Sequence, residues 1–188
     1  YTTNVEHPTN NLIDANFLSK LCKDTVIINT SRGGVVSEKD FLHSKDISII
    51  SDVFENEPDI SPKFCEKNEY FTPHIAGHSQ FCRYAMTKMA FYNVVNFLNI
   101  EVEEPQSILD NKEESFSKET QNDFKKFLFP VSLILKTYDF TLDNFEPNLF
   151  KKIRDDYNNR IGFSQVSIKG CIDSKFKKSL EILGFKVI

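Results

Sequence analysis

The segment VIINTSRGGV, Val26–Val35, decides the fold. Its strand part, TVIIN over Thr25–Asn29, is a nearly continuous apolar run, and it passes directly into a polar, glycine-bearing stretch. Such a run is expected of a strand in a parallel sheet, buried on both faces. The polar stretch then becomes the loop at the strand's carboxyl end. Two later segments repeat the arrangement: ISIISDV, 47–53, leads into DVFENEP, and the short YFT, 70–72, leads into PHIAGHS.

Helices fit between and around these strands. Asp14 is placed to N-cap a short helix with Phe17, Leu18, Leu21 and Cys22 on one face. Ser37 with Asp40 resembles a capping box opening SEKDFLHS. From Ser79 to about Leu98 the pattern predicts a long helix, with Ala85, Met89, Tyr92 and Val95 or Asn96 along one stripe. Strand, helix, strand, short strand, helix is the second half of a Rossmann-like, doubly wound parallel α/β domain. That portion is expected over residues 1–100.

The character changes after Asn99. Glu101, Glu103, Glu104, Asp110, Glu113, Glu114 and Glu119 stand against only Lys112 and Lys118, which suits an exposed acidic linker over 101–119. Beyond it, PVSLILKTY begins with Pro130 at an N1 position, and NLFKKIRDDY sets Phe150, Ile153 and Tyr157 at helical spacing. SQVSI alternates like a half-exposed strand. SKFKKSLEILG ends in Gly184, a suitable C′ residue, and FKVI is a last short strand. Residues 120–188 therefore read as a small α+β module.

Composition narrows the partners. The chain has 188 residues, 40% hydrophobic and 27% charged, as expected of a globular protein with a real core. With no Trp and 18 Phe, aromatic packing falls to Phe. A net charge of -4 argues against nucleic acid or a membrane surface as the main partner. Cys22, Cys65, Cys82 and Cys171 form no CxxC and no metal-like spacing, so no metal site is expected. The same spacing, with no signal peptide and no apolar run of membrane length, points to reduced thiols in a cytoplasm.

Three residues carry chemistry: Arg32, Glu57 and His74. Each follows a predicted strand, so all three belong at the carboxyl edge of one parallel sheet, where ligands of such folds bind. An imidazole can take a hydroxyl proton as hydride leaves the same carbon. A carboxylate bonded to its other nitrogen fixes the tautomer. A guanidinium can grip a substrate carboxylate through two parallel bonds, as lysine cannot. Each residue alone has an ordinary reading as surface, turn or structural residue. The ordered combination is what points to a 2-hydroxy acid as substrate.

INTSRGGVV…DVFENEP…TPHIAG resembles the D-isomer-specific 2-hydroxyacid dehydrogenase family over roughly Asn11–Leu98. The resemblance implies NAD as cofactor, with Arg32 binding substrate, His74 as acid/base and Glu57 as its partner. It also implies Thr30, Ser31 and Arg32 along the nicotinamide side, Asp52 at the carboxamide and Gly77 close to the cofactor. TPHIAGHS and the segment after Asn99 are similar to a branch that acts on a phosphorylated 2-hydroxy acid and dimerises through its tail, which implies a homodimer. That branch commonly has Tyr after the AG pair, where this chain has His78. Either an imidazole–phosphate bond keeps the substrate-binding role, or substrate preference has moved.

The six glycines, Gly33, Gly34, Gly77, Gly162, Gly170 and Gly184, form no GxGxxG. The chain also opens on Tyr1 without a start methionine. Both features lead to the expectation of the C-terminal part of a longer enzyme, inactive by itself. Two alternatives stay open: a non-catalytic remnant acting as a dimerisation or interaction module, and another D-2-hydroxyacid dehydrogenase.

Overall fold

The computed structural model describes residues 9–68, 70–103, 109, 111–137, 146–157 and 160–188. The chain divides into two compact units, one of Tyr1–Gly77 with Asn144–Tyr157, the other of His78–Asp143 with Asn158–Ile188. The fold is mixed α/β with a parallel sheet in each unit.

In the first unit, α1 (Ala15–Leu18), β1 (Thr25–Asn29), α2 (Glu38–His43), β2 (Ile47–Ser51), α3 (Pro62–Lys67) and β3 (Tyr70–Phe71) follow in order, and α7 (Phe150–Asp156) joins them from much later in the chain. Local chemistry starts α1 and α2 as the sequence implies. Phe17 N–H donates to the Asp14 carboxylate at 2.8 Å, and Asp40 N–H donates to Ser37 Oγ at 3.3 Å. Ser61 Oγ caps α3 by accepting from Phe64 N–H, with Pro62 in the first turn, where its missing N–H costs nothing.

The strands pair in parallel, in the order β1-β2-β3, with Ile27 opposite Ile49 and Ser51 opposite Phe71. Ile27 and Ile49 face a core of Leu18, Val36, Phe41, Phe54, Ile60, Phe64, Cys65 and Phe150. The rings of Phe41, Phe64, Phe54, Phe71 and Phe150 meet edge to face at 5.5–6.3 Å between centroids. Each fully buried Phe contributes about 1.5–3 kcal/mol by leaving water. Burial raises the Cys65 thiol to a pKa of about 12, so this cysteine is a packing residue.

β1 departs from the expectation of burial on both faces. Val26 and Ile28 point away from the core and are 52% and 68% exposed. The continuous apolar run records two faces that are both apolar, and among the described residues of this unit the packed helices cover the one bearing Ile27.

In the second unit come α4 (Gln80–Leu98), β4 (Lys112–Ser115), α5 (Lys118–Phe127), α6 (Val131–Thr137), β5 (Val166–Lys169), α8 (Ser174–Ile182) and β6 (Lys186–Val187). Its strands are also parallel, ordered β4-β5-β6, over a core of Phe124, Leu133, Val166, Ile168, Leu180 and Phe185. Gly184 takes φ +96 after α8, the left-handed turn that favours glycine.

Two elements differ from the sequence reading. The stretch expected as a linker contains β4, whose sequence KEES has no apolar residue. Its backbone pairs with β5, while Lys169–Glu113 and Lys112–Glu114 contacts at 2.6 and 2.7 Å satisfy its charges, so an edge strand looks like a linker in composition. Helix α4 has its expected length, but its stripe is only partly buried, with Ala85 and Tyr92 half-buried and Met89 exposed. Val95 is buried, whereas Met86, Met89, Val94 and Phe97 are 57–87% exposed, and α4 groups with the second unit.

One close approach locks the first unit. A Cβ added to Gly33 would lie 1.8 Å from the Phe54 carbonyl oxygen, so the loop after β1 rests directly on the backbone of the loop after β2. Beside it, Glu38 N–H donates to the Glu55 carboxylate and Glu55 N–H donates to the Glu38 carboxylate, at 2.9 and 2.8 Å. Burial raises the pKa of Glu38. Gly33→Ala forces backbone rather than a side chain to move. It is expected to cost at least the ~1–3 kcal/mol typical of overpacking, read as a lower urea midpoint. An unchanged midpoint would show that the two loops can separate freely.

Candidate active site

Parallel strands deliver the loops after β1, β2 and β3 to the same carboxyl edge. The first loop is organised by Asn29, 5% exposed, whose amide donates to the Arg32 carbonyl at 3.1 Å while its Oδ1 accepts from Ser31 N–H at 3.2 Å. Thr30, Ser31 and Arg32 are thereby held at the exposed edge. The Arg32 guanidinium folds onto its own loop, donating to the Ser31 carbonyl at 2.7 Å. Among the described residues, no hydrogen bond or ion pair joins it to Glu57 or His74.

Glu57 and His74 are brought together. His74 Nδ1 lies 2.6 Å from Glu57 Oε2, with the two side chains 28% and 21% exposed. A carboxylate only accepts here, so Nδ1 carries the proton, and the lone pair of a neutral ring is left on Nε2. Glu57 is fixed in turn, because its other oxygen accepts from Phe54 N–H at 2.9 Å. The pair is a proton acceptor oriented by its carboxylate, with access to solvent.

The turn carrying His74 is built on Asp52. This residue is 4% exposed, and its carboxylate accepts from Thr72 Oγ1 at 2.6 Å, Ile75 N–H at 2.7 Å and Ala76 N–H at 3.0 Å. The backbone joins in, with His74 N–H donating to the Asp52 carbonyl at 2.8 Å. His74 itself has φ 56, a left-handed conformation that costs a non-glycine residue roughly 1–2 kcal/mol. The family resemblance implies Asp52 at a cofactor carboxamide. The carboxylate already receives three donors, so any such contact adds to a structural task. Neither that task nor the organising role of Asn29 is visible in a strand-end Asp or Asn. Each needs its partners in space.

Gly77 is exposed, and a Cβ built on it meets nothing within 4 Å. The Thr30–Arg32 loop at the carboxyl edge is exposed as well. A pyrophosphate clamp of the GxGxxG type is not among these 188 residues. His78 is half-buried and is the first residue of the second unit, two residues ahead of α4.

Residues 1–76 match the family model described as D-isomer specific 2-hydroxyacid dehydrogenase, NAD binding domain. Among curated proteins, the chain is 43% identical to an erythronate-4-phosphate dehydrogenase of Psychrobacter sp. over 94 residues, 48% of this chain and 25% of that protein. It is 28% identical to one of Coxiella burnetii over 184 residues, 95% of this chain and 50% of the relative. A Bacteroides fragilis enzyme of the same name is 31% identical over 159 residues, 81% and 43% of the two chains. The chain spans at most about half the length of these curated relatives.

Asp52→Asn tests the His74 turn. Either amide orientation points an NH2 at backbone N–H groups, leaving buried donors without an acceptor at about 1–3 kcal/mol. The expected result is a lower unfolding free energy together with faster amide exchange at Ile75 and Ala76. Wild-type exchange at those two residues would show that the turn stands without the carboxylate.

Proposed function

Through residues 1–76 the chain belongs to the D-isomer specific 2-hydroxyacid dehydrogenase family, and on that premise we propose that it is the C-terminal part of an NAD-dependent 4-phosphoerythronate dehydrogenase serving pyridoxal phosphate biosynthesis. The observation that carries the reading is the Glu57–His74 pair at 2.6 Å on the carboxyl edge of the sheet. His74 Nε2 takes the C2 hydroxyl proton of 4-phospho-D-erythronate as the C2 hydrogen leaves with its electron pair, giving the 2-oxo acid. NAD, when bound, supplies the hydride acceptor. Glu57 holds the ring and faces the positive charge that the ring gains.

Arg32 grips the substrate carboxylate after turning away from Ser31, a rotation open to an exposed side chain. Thr30, Ser31 and Gly77 border the nicotinamide, and the one acceptor position left on Asp52 is available to its carboxamide. His78 stands where the related branch has Tyr and meets the substrate phosphate. A phosphorylated four-carbon acid is favoured over other 2-hydroxy acids because the erythronate-4-phosphate dehydrogenase of Coxiella burnetii aligns with 95% of the chain, including the residues after α4.

The role of His74 is tested in a polypeptide that also carries the glycine-rich phosphate loop. There, His74→Ala is expected to lower kcat on 4-phosphoerythronate by about 10²–10⁴. Near wild-type kcat would remove His74 from the chemistry. The 188-residue chain alone is expected to bind NAD no more tightly than about millimolar, since backbone N–H groups at a glycine-rich helix start hold the pyrophosphate. Saturable micromolar binding by calorimetry would overturn that expectation.

A homodimer is part of the same proposal. The second unit exposes Phe127, Leu128, Phe129 and Ile182, the last 76% accessible, and a module this small has little private core in which to hide them. Two-fold pairing of like surfaces is the commonest way to cover them. Light scattering on the purified chain is expected to give twice 21.8 kDa, and Leu128→Asp with Ile182→Asp to halve it. A monomeric mass at high micromolar concentration would exclude the dimer.

A further inference from the structure

Helix α7 lies far from His74 in sequence, yet it packs into the same unit. Its anchor is Phe150, 2% exposed, which meets the Phe54 ring edge to face at 5.8 Å. Phe54 is also the residue whose N–H holds Glu57 Oε1. One helical turn further on, Arg154 Nε donates to the His74 carbonyl at 3.4 Å. Residues four apart share a helix face, so a single face of α7 reaches both the residue whose N–H holds Glu57 and the carbonyl of His74.

Every other polar group of His74 is already engaged. Its N–H donates to the Asp52 and Thr72 carbonyls, and its Nδ1 donates to Glu57. The contact from Arg154 satisfies the remaining backbone group of a residue held at φ 56. Among the described residues, that leaves Nε2 as the one polar atom of His74 without a protein partner. A cavity of ≈ 370 Å³ beside the pair is lined by Glu57, Pro58, Phe150, Lys151, Arg154 and Asp155, so charged groups of α7 border the carboxylate that orients the ring.

We infer that α7 is a positioning element for the Glu57–His74 pair, with Arg154 as the positioning residue acting through the His74 carbonyl and Phe150 as its anchor. Arg154 touches neither a substrate nor a reacting atom. It bonds the left-handed turn at the His74 carbonyl while Asp52 bonds the N–H groups that follow, so that the ring and the carboxylate stay in register. The inference rests on the reading of His74 as a proton acceptor. The experiment reports geometry without turnover, so either idea can fail while the other stands.

Proton–nitrogen correlation spectra of the histidine rings, with amide exchange, test it on the 188-residue chain. Wild type is expected to show His74 as a single tautomer protonated on Nδ1. Arg154→Met keeps the aliphatic stem and removes the donor. It is expected to mix the two tautomers and to speed exchange at the His74 and Ile75 amides about tenfold, with the thermal midpoint and exchange in β1 and β2 unchanged. Arg154→Lys still donates to a carbonyl and should restore the wild-type ring signals. Wild-type His74 signals in Arg154→Met would overturn the proposal. So would a loss spread over the whole unit that lysine does not rescue, since that marks a general packing role. Should Arg154→Met fail to fold, Phe150→Leu is read the same way: loosening the anchor should broaden the His74 ring signals, and unchanged signals would count against α7.

Discussion

The carboxylate of Asp52, buried at the end of β2, is the group on which the arrangement of the site depends. A buried charge is costly unless its oxygens are hydrogen-bonded, and here a hydroxyl and two backbone N–H groups from the segment after β3 supply the bonds. The satisfaction is mutual. Asp52 escapes the cost of an unpaired buried anion, and the Thr72–Ala76 segment gains the bonds that hold His74 at φ 56. Each half satisfies the other, so the loops after β2 and β3 are set as one piece. Because Glu57 belongs to the first and His74 to the second, their 2.6 Å contact follows from the Asp52 clamp as much as from their own attraction.

The loop bearing Arg32 is tied to this piece by contact rather than charge. Gly33 lies so close to the Phe54 carbonyl that only a missing side chain permits it. The reciprocal N–H to carboxylate bonds of Glu38 and Glu55 fasten the same two loops one step further along. The rigidity is uneven, and it suits the proposed chemistry. The proton acceptor is over-determined by its neighbours, whereas the Arg32 guanidinium rests on its own loop, exposed and free to turn toward an anion. A base must be pre-set in tautomer and direction, while a carboxylate clamp works by closing on what arrives.

Much of this was legible in the sequence, for local reasons. The apolar runs at 25–29 and 47–51 became β1 and β2, and Asp14 and Ser37 became N-caps, because strand burial and capping depend on neighbours a few residues away. The positions of Arg32, Glu57 and His74 after successive strands were readable because a parallel sheet brings every strand's carboxyl end to one edge. What escaped depends on distant partners. KEES carries no apolar signal, since an edge strand is held by its backbone ladder and can be fully charged. Val26, Ile28 and the outer residues of α4 are apolar without being buried, and composition cannot tell a covered apolar face from a bare one. The meeting of Arg154 with His74 joins residues 80 apart in sequence, and no local period encodes it.

The two kinds of residue also bear differently on function. The acid–base pair is specified by two side chains inside one short span of sequence, and any fold that preserved the loops after β2 and β3 would keep it. Its orientation is supplied from three directions: Phe54 N–H on Glu57, the Asp52 carboxylate under the turn, and α7 at the His74 carbonyl. Only the first two come from the neighbouring loops. The third comes from a segment that enters the unit after the chain has built β4, α5 and α6 of another unit. Docking of α7 through Phe150 therefore ties a late segment of the chain to the geometry of an acid–base site whose other residues all come from its first 77.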